Sequence, residues 1–133
     1  RLKRQNIVFR SKKVGSRDYE FLNRFMYHDI SILYKFLKKN KLKSLNFLQN
    51  KKLIEIKIIF QNKVEILFKY NLNASKKIHY INNINFFTEN DILNQMINRI
   101  LTNKVNIKIN NEKALFVVKF LNILKKKINN LTK

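Results

Sequence analysis

The sequence predicts a single α+β domain, in which helices cover a three-stranded sheet and a basic arm precedes the domain. Three observations predict this fold class. The chain has 133 residues and is 45% hydrophobic, which suits one domain with one core. Apolar residues alternate between positions 54 and 70 with the period of a strand. They recur at helical spacing around positions 30–37, 92–101 and 114–128, so the predicted order is helix, strand, strand, helix, strand, helix.

Residues 1–17 form the predicted basic extended arm, and residues 18–133 form the predicted domain. The arm contains seven basic residues and no acidic one. A block of like charge repels itself and binds polyanions, so we expect the arm to lie along the phosphates of a nucleic acid. A disordered tail is the alternative. The candidate contacts are Arg1, Lys3, Arg4, Arg10, Lys12, Lys13 and Arg17.

Two helices are predicted next, one over 17–27 with Ser16 as its cap and one that Asp29 caps. Lysines crowd the end of the second helix, where cations complement the helix dipole. Its apolar stripe consists of Ile30, Leu33, Tyr34 and Leu37. Residues 42–51 are open between a continuation of this helix and an irregular loop.

The stretch "LIEIKIIFQNKVEILFKY", residues 53–70, predicts a β-hairpin, because β-branched and aromatic residues alternate with polar ones on both sides of a short turn. Asn62 in the turn tolerates a left-handed conformation. We expect the rings of Phe60, Phe68 and Tyr70 to face the core. Glu55 and Glu65 face solvent and pair with Lys57 and Lys63.

Residues 71–87 are rich in Asn and are predicted to form a loop. The side chains of His79 and Tyr80 lie close to Lys76 and Lys77 in sequence, so a nucleic-acid base could stack on them. A solvated loop without such a contact is the stronger interpretation.

The second half predicts a helix over 92–101, opened by Thr88 and Asp91 in the manner of a capping box. A third strand is predicted over 105–109, and Asn111 caps a last helix that ends in Lys125, Lys126 and Lys127. The apolar stripe of this helix is Ala114, Val117, Val118, Leu121, Leu124 and Ile128.

Charge is the strongest functional signal in the sequence. The chain has 29 basic and 8 acidic residues, a net charge of +21, which opposes compaction unless a polyanion screens it. RNA, DNA and an anionic membrane surface are the candidate partners. Apolar runs are too short for a membrane span. The excess of Lys, Asn and Ile is typical of an AT-rich gene, which favours an organellar protein, with the mitochondrial matrix ahead of the plastid.

Catalytic chemistry is not expected. The chain has no Cys, which excludes disulfides and thiolate catalysis, and His28 and His79 are too far apart in sequence to form a spaced metal motif. His28 beside Asp29 could act as a base, but a helix-start residue explains it better. We therefore expect no enzyme, no catalytic residue, no metal site and no cofactor.

Four stretches resemble the KH domain of the third small-subunit ribosomal protein family, over about residues 27–128. They are "HDISILYKFLKKNKL", "LIEIKIIFQNKVEILFKY", "DILNQMINRILTNKVNIKIN" and "ALFVVKFLNILKKK". The resemblance implies a KH-like fold and ribosomal RNA as partner. The position of the family's Gly-x-x-Gly loop is taken by "NLNASKKIHY", which has no glycine. The family's C-terminal domain has no counterpart, which suits either a shortened version or a split one in which a separate chain supplies that domain.

The expected function is therefore that of a structural constituent of an organellar, mitochondrial small ribosomal subunit, beside other small-subunit proteins. The arm binds ribosomal RNA, assisted by Lys76, Lys77 and the lysines at 125–127. One alternative is the eighth small-subunit ribosomal protein family, whose first half also ends in a basic segment similar to "KKIHY". Others are an accessory subunit of an organellar membrane complex, with the last helix on the bilayer, and a fragment of a nucleic-acid enzyme.

Overall fold

The computed structural model of the protein describes the chain at residues 3–13, 25–85 and 107–132. Within these ranges it contains a six-stranded mixed sheet and three helices, of which the last is 26 residues long. The strands are β1 (Gln5–Lys13), β2 (Leu42–Asn50), β3 (Leu53–Phe60), β4 (Glu65–Asn71), β5 (Asn73–Ile81) and β6 (Ile84–Asn85). The helices are α1 (Tyr27–Ile32), α2 (Tyr34–Lys39) and α3 (Ile107–Thr132).

The strand order in the sheet is β2-β3-β4-β1-β5-β6. Strand β1 pairs in parallel with β4 and antiparallel with β5, and the remaining neighbours are antiparallel. The first strand of the chain therefore lies inside the sheet, between two strands that follow each other directly in sequence.

The predicted hairpin is confirmed by β3 and β4. Apolar residues at every second position of both strands are buried, as the alternation requires. The turn residue with a positive φ is Lys63, at 69°, whereas Asn62 accepts a hydrogen bond from the Val64 amide at 3.2 Å through its side-chain Oδ1. The turn therefore uses Asn62 as a side-chain acceptor, and the left-handed conformation falls on its neighbour.

One face of the sheet, here called the covered face, packs against the helices. The Phe25 ring lies 5.8 Å from that of Tyr70, and Phe36 meets Phe60 edge-on at 5.2 Å. Helix α3 joins the same core through Val117, Leu121 and Leu124, which are buried at helical spacing. The opposite face, called the open face, carries the alternate residues of each strand, and several of them are exposed.

The predicted three-stranded, KH-like fold is wrong, because the described residues contain a six-stranded sheet. Part of the segment that was expected to be an arm belongs to this sheet. Residues 5–13 form an interior strand whose Asn6, Val8 and Arg10 face the core side. The basic composition of this segment concealed it, because only Val8 among these inward positions is apolar. Its strand character depends on β4 and β5, which lie far away in sequence, so local pattern carried no sign of it.

Three further segments differ from their sequence expectation. Residues 71–87 contain β5 and β6 instead of a loop, and residues 42–51 form β2. The strand predicted over 105–109 is helical from Ile107 onward, as the start of α3. Extending an existing helix gains a hydrogen bond with each residue added, which outweighs a short alternating pattern. The helix expected over 92–101 and most of the one over 17–27 lie outside the described residues.

Candidate nucleic-acid interface

Asp29 lies at the centre of a buried polar cluster and does not cap a helix, contrary to the sequence expectation. It sits in the first turn of α1 and is fully buried. Its Oδ1 accepts a hydrogen bond from Arg10 Nη2 at 3.0 Å and lies 2.6 Å from His79 Nε2. Its Oδ2 accepts a hydrogen bond from the Tyr70 hydroxyl at 2.7 Å. The single carboxylate therefore joins α1 to three strands.

The strand register explains why these groups meet. Arg10 of β1 lies directly opposite Tyr70 of β4 on one side and His79 of β5 on the other. Side chains opposite each other on neighbouring strands share a face, so all three point toward α1. The Arg10 guanidinium also lies 5.2 Å from the centre of the Phe25 ring.

The cluster is shielded from solvent. Asp29, Tyr70 and His79 are all buried. Burial, followed by the negative charge of Asp29, raises the pKa of the Tyr70 hydroxyl well above its ordinary value, which keeps it a hydrogen-bond donor. The ion pair ties α1 to the sheet through Arg10 Nη2, while Arg10 Nε is buried without a hydrogen-bond partner.

His28, considered above as a base with Asp29, lies apart from this arrangement. His28 is exposed, and the centre of its ring lies 5.8 Å from that of Tyr27 in an edge-on arrangement. Desolvation by neighbouring atoms, followed by repulsion from the Arg10 charge, lowers the pKa of His28. The carboxylate that was expected to orient it is bound to Arg10, Tyr70 and His79.

Two more acidic residues pair across the open face of the hairpin. Lys57 Nζ lies 3.5 Å from Glu65, and Lys69 Nζ lies 3.7 Å from Glu55. The predicted pairing of Glu65 with Lys57 is confirmed, whereas Glu55 pairs with Lys69. The described ranges contain four acidic residues, and three of them have a cationic neighbour: Asp29, Glu55 and Glu65. The fourth is Glu112.

Exposed cations gather at the end of the sheet where β1 and β4 begin. The Glu65 amide donates to the Arg4 carbonyl at 2.8 Å, and the Gln61 amide donates to that of Lys41 at 3.0 Å. These bonds bring the start of β1, the α2–β2 connection and the β3–β4 turn together. We call this surface the basic end. Its exposed members are Lys3, Arg4, Lys38, Lys39, Lys41, Lys43 and Lys63.

The basic end surrounds an open cleft of about 420 Å³. Arg4, Lys43 and Lys63 line it together with Glu65, and Ile59 and Phe60 contribute apolar walls. Asn6 holds this corner in place: its Nδ2 donates to the Lys3 carbonyl at 2.6 Å and to that of Glu65 at 3.1 Å. The cleft therefore presents cations on a rigid frame.

The residues predicted to bind RNA are distributed over several places. Lys3 and Arg4 belong to the basic end, whereas the side chain of Arg10 is only 16% exposed and is held by Asp29. Lys76 and Lys77 are exposed on β5, and Lys126 and Lys127 are exposed on α3, with Lys125 half-buried there. Lys12 and Lys13 end strand β1. Arg1 and Arg17 lie outside the described residues.

Sequence reasoning missed the lysines at 41, 43 and 63 as parts of one surface. The signal was present in the basic run after α2, which was interpreted only as a complement to the helix dipole. These lysines converge because β2 pairs with β3, and β2 was not predicted from the sequence.

The two candidate stacking residues of the sequence, His79 and Tyr80, lie on opposite faces. His79 belongs to the buried cluster, and Tyr80 is 38% exposed on the open face. A strand turns successive side chains to opposite sides, so forming β5 separates them.

No group of three potential metal ligands was found among residues 3–13, 25–85 and 107–132. None of the helices in these same ranges combines the length and the apolar character required to cross a membrane. A search against models of protein families found no match, and a search of curated proteins also found none.

Proposed function

We propose that this protein is a structural RNA-binding protein, which binds phosphates by charge and catalyses no reaction. The observation that carries the proposal is the basic end, where cations from separate elements converge around one cleft. Arg4, Lys43 and Lys63 line that cleft, and all three are exposed. Regularly spaced phosphates neutralise several such cations at once, which a small anion does not do.

Acidic residues that pair with cations of the same chain support the same function. Asp29 is buried with Arg10, while Glu55 and Glu65 pair with lysines on the open face. Glu65 lines the cleft itself, but Lys57 lies 3.5 Å from its carboxylate and offsets its charge. With a net charge of +21, a bound polyanion also removes self-repulsion from the folded chain.

We place the protein in an organellar small ribosomal subunit, in the mitochondrial matrix ahead of the plastid, with ribosomal RNA as its partner. Composition supports this placement, because the Lys- and Asn-rich usage is that of an AT-rich gene and the charge suits a permanent RNA partner. The element order of a KH domain lends it no support, because the elements of the described residues do not follow that order.

Binding of an RNA hairpin at increasing salt tests the proposal. The logarithm of affinity should fall linearly with the logarithm of salt concentration, with a slope of about −0.7 to −0.9 for each phosphate contacted. Combining Lys41→Ala, Lys43→Ala and Lys63→Ala should weaken binding and make the slope shallower by about 2. Fluorescence anisotropy with labelled RNA measures both quantities.

A matched control carries Lys119→Ala, Lys126→Ala and Lys127→Ala, which remove the same charge from exposed positions of α3. We expect this variant to lose less affinity than the one altered at the basic end. Equal losses would refute the assignment of binding to the basic end, because net charge or the α3 lysines would then contribute as much. Binding that is insensitive to salt would refute the whole proposal. Co-sedimentation of the protein with small ribosomal subunits from organelles tests the ribosomal placement separately.

A further inference from the structure

The open face carries a row of residues, two of them aromatic, that play no part in the proposed binding of phosphates at the basic end. The strand register sets Lys69 of β4 opposite Phe9 of β1, and Phe9 opposite Tyr80 of β5. Residues directly opposite each other on adjacent strands have Cβ atoms about 4.5–5.5 Å apart. Two aromatic side chains and one cation therefore lie side by side across three strands.

The aromatic members of this row are accessible. Tyr80 is 38% exposed, and Phe9 is partly exposed beside Ile7, which is 49% exposed. Aromatic pairs do stabilise neighbouring strands. Strand stabilisation explains why the two rings are adjacent. It does not explain why Tyr80 is exposed to solvent.

Cations border the two rings. The side chain of Lys69 is 44% exposed and is engaged only loosely, at 3.7 Å, by Glu55, which is itself exposed to a similar degree. Lys76 is exposed in the same strand as Tyr80, four residues earlier and therefore on the same side of the strand. A ligand with flat apolar groups and negative charges between them matches this arrangement, and a strand of nucleotides has that chemistry.

We propose that the open face binds single-stranded RNA, with bases stacked on Phe9 and Tyr80 and phosphates held by Lys69 and Lys76. The inference rests on the proposed function and adds a second surface with a different selectivity. Bases in a duplex are stacked on each other and are not available to side chains, whereas unpaired bases are. The aromatic row therefore distinguishes single strands from duplexes, and the basic end binds both.

The test compares two RNA probes at one salt concentration by fluorescence anisotropy. One is an oligouridine of about ten nucleotides, and the other is a blunt-ended RNA duplex of about ten base pairs, which has no unpaired bases. Tyr80→Ala should weaken oligouridine binding by about fivefold or more and leave duplex binding unchanged, because only the single strand loses a stacking partner. Tyr80→Phe, which keeps the ring, should retain the affinity of the natural protein.

Leu115→Ala is the matched control, because Leu115 is an exposed apolar residue of α3, at 56%, away from the sheet. It should change neither affinity. Cross-linking needs no substitution at all: oligouridine carrying 5-iodouridine should, on irradiation, become attached to the natural protein at Phe9 or Tyr80. Mass spectrometry of the digested complex locates the attachment.

The outcomes separate this inference from the proposed function. If the natural protein binds both probes but Tyr80→Ala changes both affinities equally or neither, the inference is overturned and RNA binding stands. Cross-links found only at other residues overturn it as well, and leave the open face to a protein partner. If the natural protein binds neither probe, both proposals fail.

Discussion

The two faces of the sheet are built from alternate residues of the same strands, and they treat charge in opposite ways. On the covered face, Arg10 and His79 contact Asp29 at 3.0 and 2.6 Å in a shielded cluster. On the open face, Lys57 and Lys69 meet their glutamates at 3.5 and 3.7 Å, and all four side chains are partly exposed. Water screens the second kind of pair and leaves it weak, whereas the first kind is costly to break. The difference separates charges that hold the fold from charges that remain available to a partner.

Asp29→Asn is the substitution with the largest effect expected from the difference between the two faces. The substitution keeps the shape of the side chain but leaves the Arg10 guanidinium buried without its anion, so we expect the free energy of unfolding to fall by about 3–5 kcal/mol. Glu55→Gln removes an open-face anion in the same way and should cost about 1 kcal/mol or less. Chemical denaturation of both variants measures the difference, and equal losses would contradict the distinction between the faces.

An apolar pair within β3 makes the same comparison without charge. Ile56 is fully buried on the covered face, whereas Ile59 is only partly buried on the open face. Ile56→Ala should lower the free energy of unfolding by about 2–5 kcal/mol, because it leaves a cavity in the core. Ile59→Ala should cost only about 1 kcal/mol, because solvent fills the space. Urea melts followed by circular dichroism give both values, and a larger loss for Ile59→Ala would reverse the assignment of the faces.

A smaller effect that depends on pH is expected from Tyr70→Phe. At neutral pH the variant lacks one donor to the buried carboxylate, which should cost about 1.5–3 kcal/mol. Because the pKa of Tyr70 is raised in the folded protein, its contribution is complete below the unfolded pKa of about 10 and declines as pH rises above it. The stability gap between the natural protein and the variant should therefore narrow above pH 10. Melts at a series of pH values check this, and a gap independent of pH would contradict the raised pKa.

The parts of the fold that local pattern predicted are those with their own alternation or stripe. Strands β3 and β4 carry an apolar residue at every second position, and α3 carries a buried stripe through Val117, Leu121 and Leu124. The local sequence predicts these elements, because their buried positions carry apolar residues.

The parts that pattern missed are those whose burial depends on distant partners. Arg10 and His79 are polar, and they face the core only because Asp29 comes from α1 to meet them. A local window cannot anticipate such a meeting, so β1 appeared to be an arm and β5 a loop. The candidate sites follow the same division: the sequence named Lys3 and Arg4 as candidates and ranked stacking on Tyr80 below a solvated loop, whereas Lys43 and Lys63 required the sheet to bring them together.

The position of β1 has a consequence for how the protein folds. The Asn6 side chain bonds to the Glu65 carbonyl 59 positions later, and the Ile7 amide bonds to Asn82 75 positions later. Contacts at such separations carry a large loop-closure entropy and slow the search for the native state. Strands β2 to β4 are joined by local hairpins, so we expect them to form early, whereas β5 meets the rest of the sheet only through β1. We therefore expect the pairing of β1 with β4 to be a late step, before which the edge of β4 is open to strands of other chains.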